Sequence, residues 1–70
     1  MRLEKVIYKA MQNANDDSYI LSIMVAQRAN KLAEGAEPLI KVNKDKTKLT
    51  DIALMEIAEG LVTLDMIQDI

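Results

Sequence analysis

A chain of 70 residues with no cysteine and no histidine has no disulfide, no zinc-thiolate site, no imidazole base and no thiolate nucleophile to draw on. Its net charge of −2 leaves no surplus of Lys and Arg for nucleic acid, and half of its residues are hydrophobic, almost all Ala, Ile, Leu, Met and Val. One all-α domain over residues 1–70 is expected, with a core that at this size contributes only ~3–5 kcal/mol of net stability unless a subunit adds to it.

The first element is an amphipathic helix over about 3–12. Leu3, Val6, Ile7, Ala10, Met11 and Ala14 follow i, i+3, i+4, i+7 spacing, and Glu4, Lys5, Lys9 and Gln12 take the other face. Asn13, Asn15, Asp16, Asp17 and Ser18 then compete with helical hydrogen bonds, which predicts a turn and an N-cap. For the adjacent Asp16 and Asp17, capping outweighs metal binding.

A long helix over about 17–33 comes next, and the chain is expected to be organised around it. At 100° per residue Leu21, Leu32, Val25 and Ala29 form one stripe, while Ala33, Ala26, Tyr19, Ile23 and Ile20 fill most of the remaining circumference. Such a helix must be covered from several sides, and so short a chain has little else to cover it with. Part of the cover is therefore expected from another protein. Five Met residues suit a surface that repacks against a partner.

Arg28 lies on that stripe, between Leu21, Met24 and Leu32. Two readings remain open. Its stem lies over apolar surface with the head in water, or its guanidinium fork pairs with a carboxylate, either Glu56 or an acid on a partner.

Gly35 and Pro38 stop the helix. From Gly35 to Lys48 a loop is expected, with Leu39, Ile40 and Val42 extended against the helices and Lys44, Asp45, Lys46 and Lys48 in water; a phosphate or acidic-partner contact is the alternative for the charged residues. A third helix, over about 46–59, overlaps the end of that loop and stops at Gly60. Leu49, Ala53, Ile57, Leu61 and Leu54 make its broad face, extended by Ala58, Met55 and Ile52. A short helical turn within 62–70, capped by Thr63, closes the prediction.

No carboxylate cluster or glycine-rich phosphate loop is visible, so no catalytic residue, cofactor site or metal site is assigned. No stretch approaches the roughly 18 apolar residues that span a bilayer, and no basic segment precedes an apolar run near Met1. A cytoplasmic protein without membrane contact is expected. A helix-turn-helix reading needs a basic recognition helix, whereas Thr50 to Gly60 carries three acids and no base. Asp17-Ser18-Tyr19 at a helix start looks like an acyl carrier protein, whose Ser carries phosphopantetheine, but Tyr19 and a nearly uncharged helix follow.

Two blocks carry a stronger resemblance. The run Ser18-Tyr19-Ile20-Leu21-Ser22-Ile23-Met24-Val25-Ala26-Gln27-Arg28-Ala29-Asn30-Lys31-Leu32 resembles the first block of the omega subunit family of bacterial RNA polymerase, where an aromatic precedes an apolar run ending in Ala-x-Arg-Ala. Ile52-Ala53-Leu54-Met55-Glu56-Ile57-Ala58-Glu59-Gly60 is similar to the second block, and Pro38-Leu39-Ile40 with Lys46-Thr47-Lys48-Leu49 to the segment between. The resemblance implies an omega-like fold and a non-catalytic subunit that latches the beta-prime subunit and aids assembly with alpha and beta. Carried over by position, it places Tyr19, Arg28, Ala29, Leu32, Ile52, Leu54, Glu56 and Ile57 at the beta-prime interface, with Gly60 as a cap. Ser18 and Asn30 stand where arginines are common in the family, so contacts of those arginines are not carried over. Some members help form a site for guanosine tetraphosphate through their N-terminal arm. Here Met1-Arg2-Leu3-Glu4-Lys5 sets Glu4 against an anionic ligand, and that site is expected to be weak or missing.

Overall fold

The computed structural model describes residues 3–63, and its elements are three helices: α1 (Leu3–Asn13), α2 (Ser18–Ala33) and α3 (Leu49–Ala58), with no strand among the described residues. The all-α reading holds. Most of the turn expected within 62–70 lies outside the described residues; Leu61 and Val62 form a bend.

Each helix ends through the same local device. A residue with positive φ follows the C-cap, and its backbone lets two amides turn back onto the last carbonyls. Gly35 (φ 113°) and Ala36 donate to the carbonyls of Leu32 (3.1 Å) and Lys31 (3.0 Å) after α2. Gly60 (φ 76°) and Leu61 donate to Ile57 and Glu56 after α3, both at 3.0 Å. At the end of α1 the same place is taken by Asn15 (φ 60°), one of the few side chains that tolerate this backbone. Helix α2 starts at an Asp17 N-cap, whose Oδ1 accepts from the amides of Tyr19 (2.8 Å) and Ile20 (3.3 Å).

The third helix begins later than expected. Asn43 folds the following residues into a turn: its Oδ1 accepts from the Asp45 amide at 3.0 Å and its carbonyl from the Lys46 amide at 3.0 Å. An asparagine side chain that competes for backbone donors thus holds 44–47 out of the helix, and α3 opens only at Leu49.

The packing also corrects the expected centre of the protein. Helix α3 lies against both α1 and α2, whereas α1 and α2 scarcely touch each other. It is apolar around most of its circumference, with Thr50 and Asp51 exposed, and has neighbours on two sides. Ala10, Ala14, Leu21 and Met24 close around Ile57 and Val62 at one end of α3. Leu32 closes on Ile52 and Ala53 at the other, and Val25 packs against both groups. The shape leaves α2 with one covered side. The Cα trace measures 31 × 30 × 15 Å, so the fold is about half as thick as it is wide. Leu21, Met24 and Leu32 are the buried residues of α2, while Tyr19, Ala26 and Ala33 are exposed. Among the described residues no helix is long and apolar enough to cross a membrane.

Candidate partner interface

Residues 36–42 leave the end of α2 as an irregular strap that bends at 39–41 and crosses toward α3, where side chains from two helices hold its backbone. Arg28 of α2 reaches Glu56 of α3, its Nε donating to Oε1 and its Nη2 to Oε2 at 3.2 Å. The same Nη2 donates to the Glu37 carbonyl at 3.2 Å, and the Leu39 amide donates to Glu56 Oε2 at 2.7 Å. Further along, Lys44 Nζ donates to the Ala36 carbonyl at 3.0 Å. Glu56 is completely buried and the Arg28 side chain is 10% exposed. A two-pronged guanidinium–carboxylate pair thus forms inside the fold, and each partner makes one further bond to strap backbone. No buried side-chain nitrogen or oxygen among the described residues lacks a partner. Of the two readings of Arg28, the fork paired to Glu56 within the chain is the one observed.

Held in this way, the strap builds one wall of a groove. Ile40, Lys41 and Val42 face Met55, Glu59 and Leu61 across it. The lining is mainly apolar, with one cation and one anion. Leu39, 51% exposed, and Leu61, 42% exposed, stand free of the core, as do Tyr8 and Tyr19 at 66% and 69%. The expected patch Leu39, Ile40 and Val42 therefore divides: Ile40 and Val42 are half-buried, Val42 against the Leu32 group, while Leu39 projects outward.

The eight residues assigned to the interface by resemblance fall into two groups. Tyr19 is exposed, and Ala29 and Leu54 are partly so. Leu32, Ile52, Glu56 and Ile57 have no accessible surface, and Arg28 is spent on Glu56 and Glu37. They support the surface from inside. The sequence reading passed over Leu61 and Leu39 as outward-facing groups and Asn13 as a link between helices. Asn13 Nδ2 donates to the carbonyls of Ile57 at 2.8 Å and Ala58 at 3.3 Å, tying the end of α1 to the end of α3. A signal was present for Leu39 alone, an apolar residue directly after the loop proline.

No group of three or more His, Cys, Asp or Glu among the described residues is placed to hold a metal ion. Arg2, the residue closest in kind to an alarmone-binding arm, lies outside the described residues. Ser18, the alternative modification site, opens α2, and its carbonyl accepts from Ser22 Oγ at 2.9 Å.

Residues 12–64 match the family described as RNA polymerase Rpb6. A protein of Nitratiruptor sp. described as DNA-directed RNA polymerase subunit omega is 58% identical over 66 residues, which is 94% of each chain. The chain belongs to this family of RNA polymerase omega subunits. Further omega subunits, from Campylobacter lari and Nautilia profundicola, are 51% and 48% identical, covering 93% and 89% of this chain and 90% and 92% of their own length. No solved structure matches. The family match takes in α2, the strap and α3 whole, and begins at Gln12, near the end of α1. Membership of the omega family favours the polymerase reading over the carrier-protein and helix-turn-helix alternatives.

Proposed function

We infer that this chain, as one omega-like domain over residues 1–70, is a non-catalytic accessory subunit of a bacterial DNA-directed RNA polymerase. It latches the beta-prime subunit and helps that subunit assemble with alpha and beta in the cytoplasm. The observation that carries this reading is the 58% identity to an omega subunit across 94% of both chains. The surface supports it: a thin helical layer with an apolar groove and exposed Tyr19, Leu39 and Leu61 suits docking against a larger protein. Tyr19, Ala29 and Leu54 have surface to offer, and Leu39 and Leu61 join them. Arg28, Leu32, Ile52, Glu56 and Ile57 hold that surface in shape.

The test is to bring down the tagged chain from cells and from a mixture with purified beta-prime, then wash at high salt. Retention of beta-prime, with beta and alpha from cells, is expected. Leu61→Asp should reduce retention without unfolding the chain, because Leu61 lies outside the buried core and is 42% exposed. Recovery of a folded chain bare of polymerase subunits in both preparations would refute the assignment.

A further inference from the structure

The geometry points to Arg28, Glu56 and Lys44 as positioning residues, which fix the backbone of the 36–42 strap so that its outward edge, Leu39 above all, is preformed for docking to the polymerase core. This rests on the polymerase reading above. It gives the ion pair a role in association beyond contact, which Glu56, wholly out of solvent, cannot make and for which Arg28 has little surface.

Three observations converge. A helix–helix ion pair needs only the two side chains, yet here each member also holds a strap backbone group: Arg28 takes the Glu37 carbonyl and Glu56 takes the Leu39 amide. Lys44 adds a bond to the Ala36 carbonyl at the start of the same segment. The strap has no helix or sheet ladder of its own, and beyond the Ala36 amide, which donates to the Lys31 carbonyl, the bonds described to its backbone come from side chains. The residue most directly held is also the one that projects: the Leu39 amide is bound at 2.7 Å while half of the residue remains exposed.

A loop ordered before binding spares the complex the entropy of ordering it. Freed from its bonds, the strap would present Leu39 in many arrangements, of which few fit a fixed partner. Glu56 and Arg28 thereby set affinity through Leu39 rather than through charge at the interface.

The experiment uses the full chain and a polymerase core prepared without this subunit. Lys44→Met retains the stem and lies apart from the helix core, so it tests the strap without risk to the fold. Arg28→Lys keeps a cation for Glu56 but cannot also reach Glu37. Amide hydrogen exchange over 37–41, helix melting by circular dichroism and affinity for the core are measured for each. One lost hydrogen bond corresponds to about a threefold to tenfold effect, so exchange in the strap should quicken and association weaken on that scale for Lys44→Met, with the helical signal retained and melting lowered by only a few degrees. Arg28→Lys should do the same more strongly. In combination with Leu39→Asp, Lys44→Met should cost no further affinity, since both act through the same group.

Two results would overturn the inference: a quickened strap with undiminished association, or effects of Lys44→Met and Leu39→Asp that simply add. Failure of the unaltered chain to bind the core is a different result. It removes the polymerase reading, and this inference with it.

Discussion

Arg28 and Glu56, 28 residues apart in sequence, meet as an ion pair between α2 and α3, with the carboxylate wholly out of solvent. Taking both charges out of water costs several kcal/mol, and the bonds to each other and to the strap offset it. The pair is therefore poorly placed to lose one member. Glu56→Ala leaves a guanidinium almost without solvent and the Leu39 amide without its acceptor. A loss of about 3–5 kcal/mol is expected, enough to unfold a chain of this size. Loss of the helical signal in circular dichroism at 25 °C checks it. Replacing both partners, Arg28→Met with Glu56→Leu, should be milder than Glu56→Ala alone, because no unpaired charge remains.

Ile57 has no accessible surface and sits among Ala10, Ala14, Leu21 and Met24. Ile57→Asp puts an unpaired carboxylate there, and the expected outcome is loss of the fold rather than selective loss of a partner. Leu61→Asp, four residues on and exposed, is the contrast. Its helical signal and melting temperature should stay close to those of the unaltered chain while polymerase retention falls. Equal melting temperatures for the two variants would contradict the packing described.

Gly60 turns the chain at the end of α3 with φ 76°, and a Cβ there would meet nothing within 4 Å. The cost of Gly60→Ala is thus a backbone cost, about 1 kcal/mol. Gly60→Asn should cost less, since Asn15 occupies the equivalent place after α1 at φ 60°. Urea denaturation should rank the three as Gly, then Asn, then Ala. An Ala variant as stable as Gly would mean that this turn relaxes to another backbone.

Asn13 donates from the end of α1 to α3, closing on the last carbonyls of that helix. Asn13→Ala leaves those carbonyls to water and should cost about 1 kcal/mol. Exchange at the Gly60 and Leu61 amides, which close the same end of α3, should quicken with it.

What the sequence by itself determined was local. Caps at Asp17, Gly35 and Gly60 and the periodicity of Val6, Ala10 and Ala14 depend on neighbours a few residues away, and these were legible. So was membership of the omega family, carried by two ordered blocks. The one local miss, a third helix begun three residues early, came from an Asn43 turn whose single side-chain bond outweighs weak helix propensity. Tertiary structure decided the rest. A helical wheel gives angles between residues of one helix, but a helix apolar around most of its circumference has no strongly preferred side to turn inward. Hence the wheel alone did not place α3 in the middle, or separate Leu32 in the core from Tyr19 in solvent. Nor did it choose between water, Glu56 and a partner for Arg28. That choice depended on closing a loop of 28 residues, which becomes favourable only once the apolar faces of α2 and α3 have met and carried the two charges out of water together.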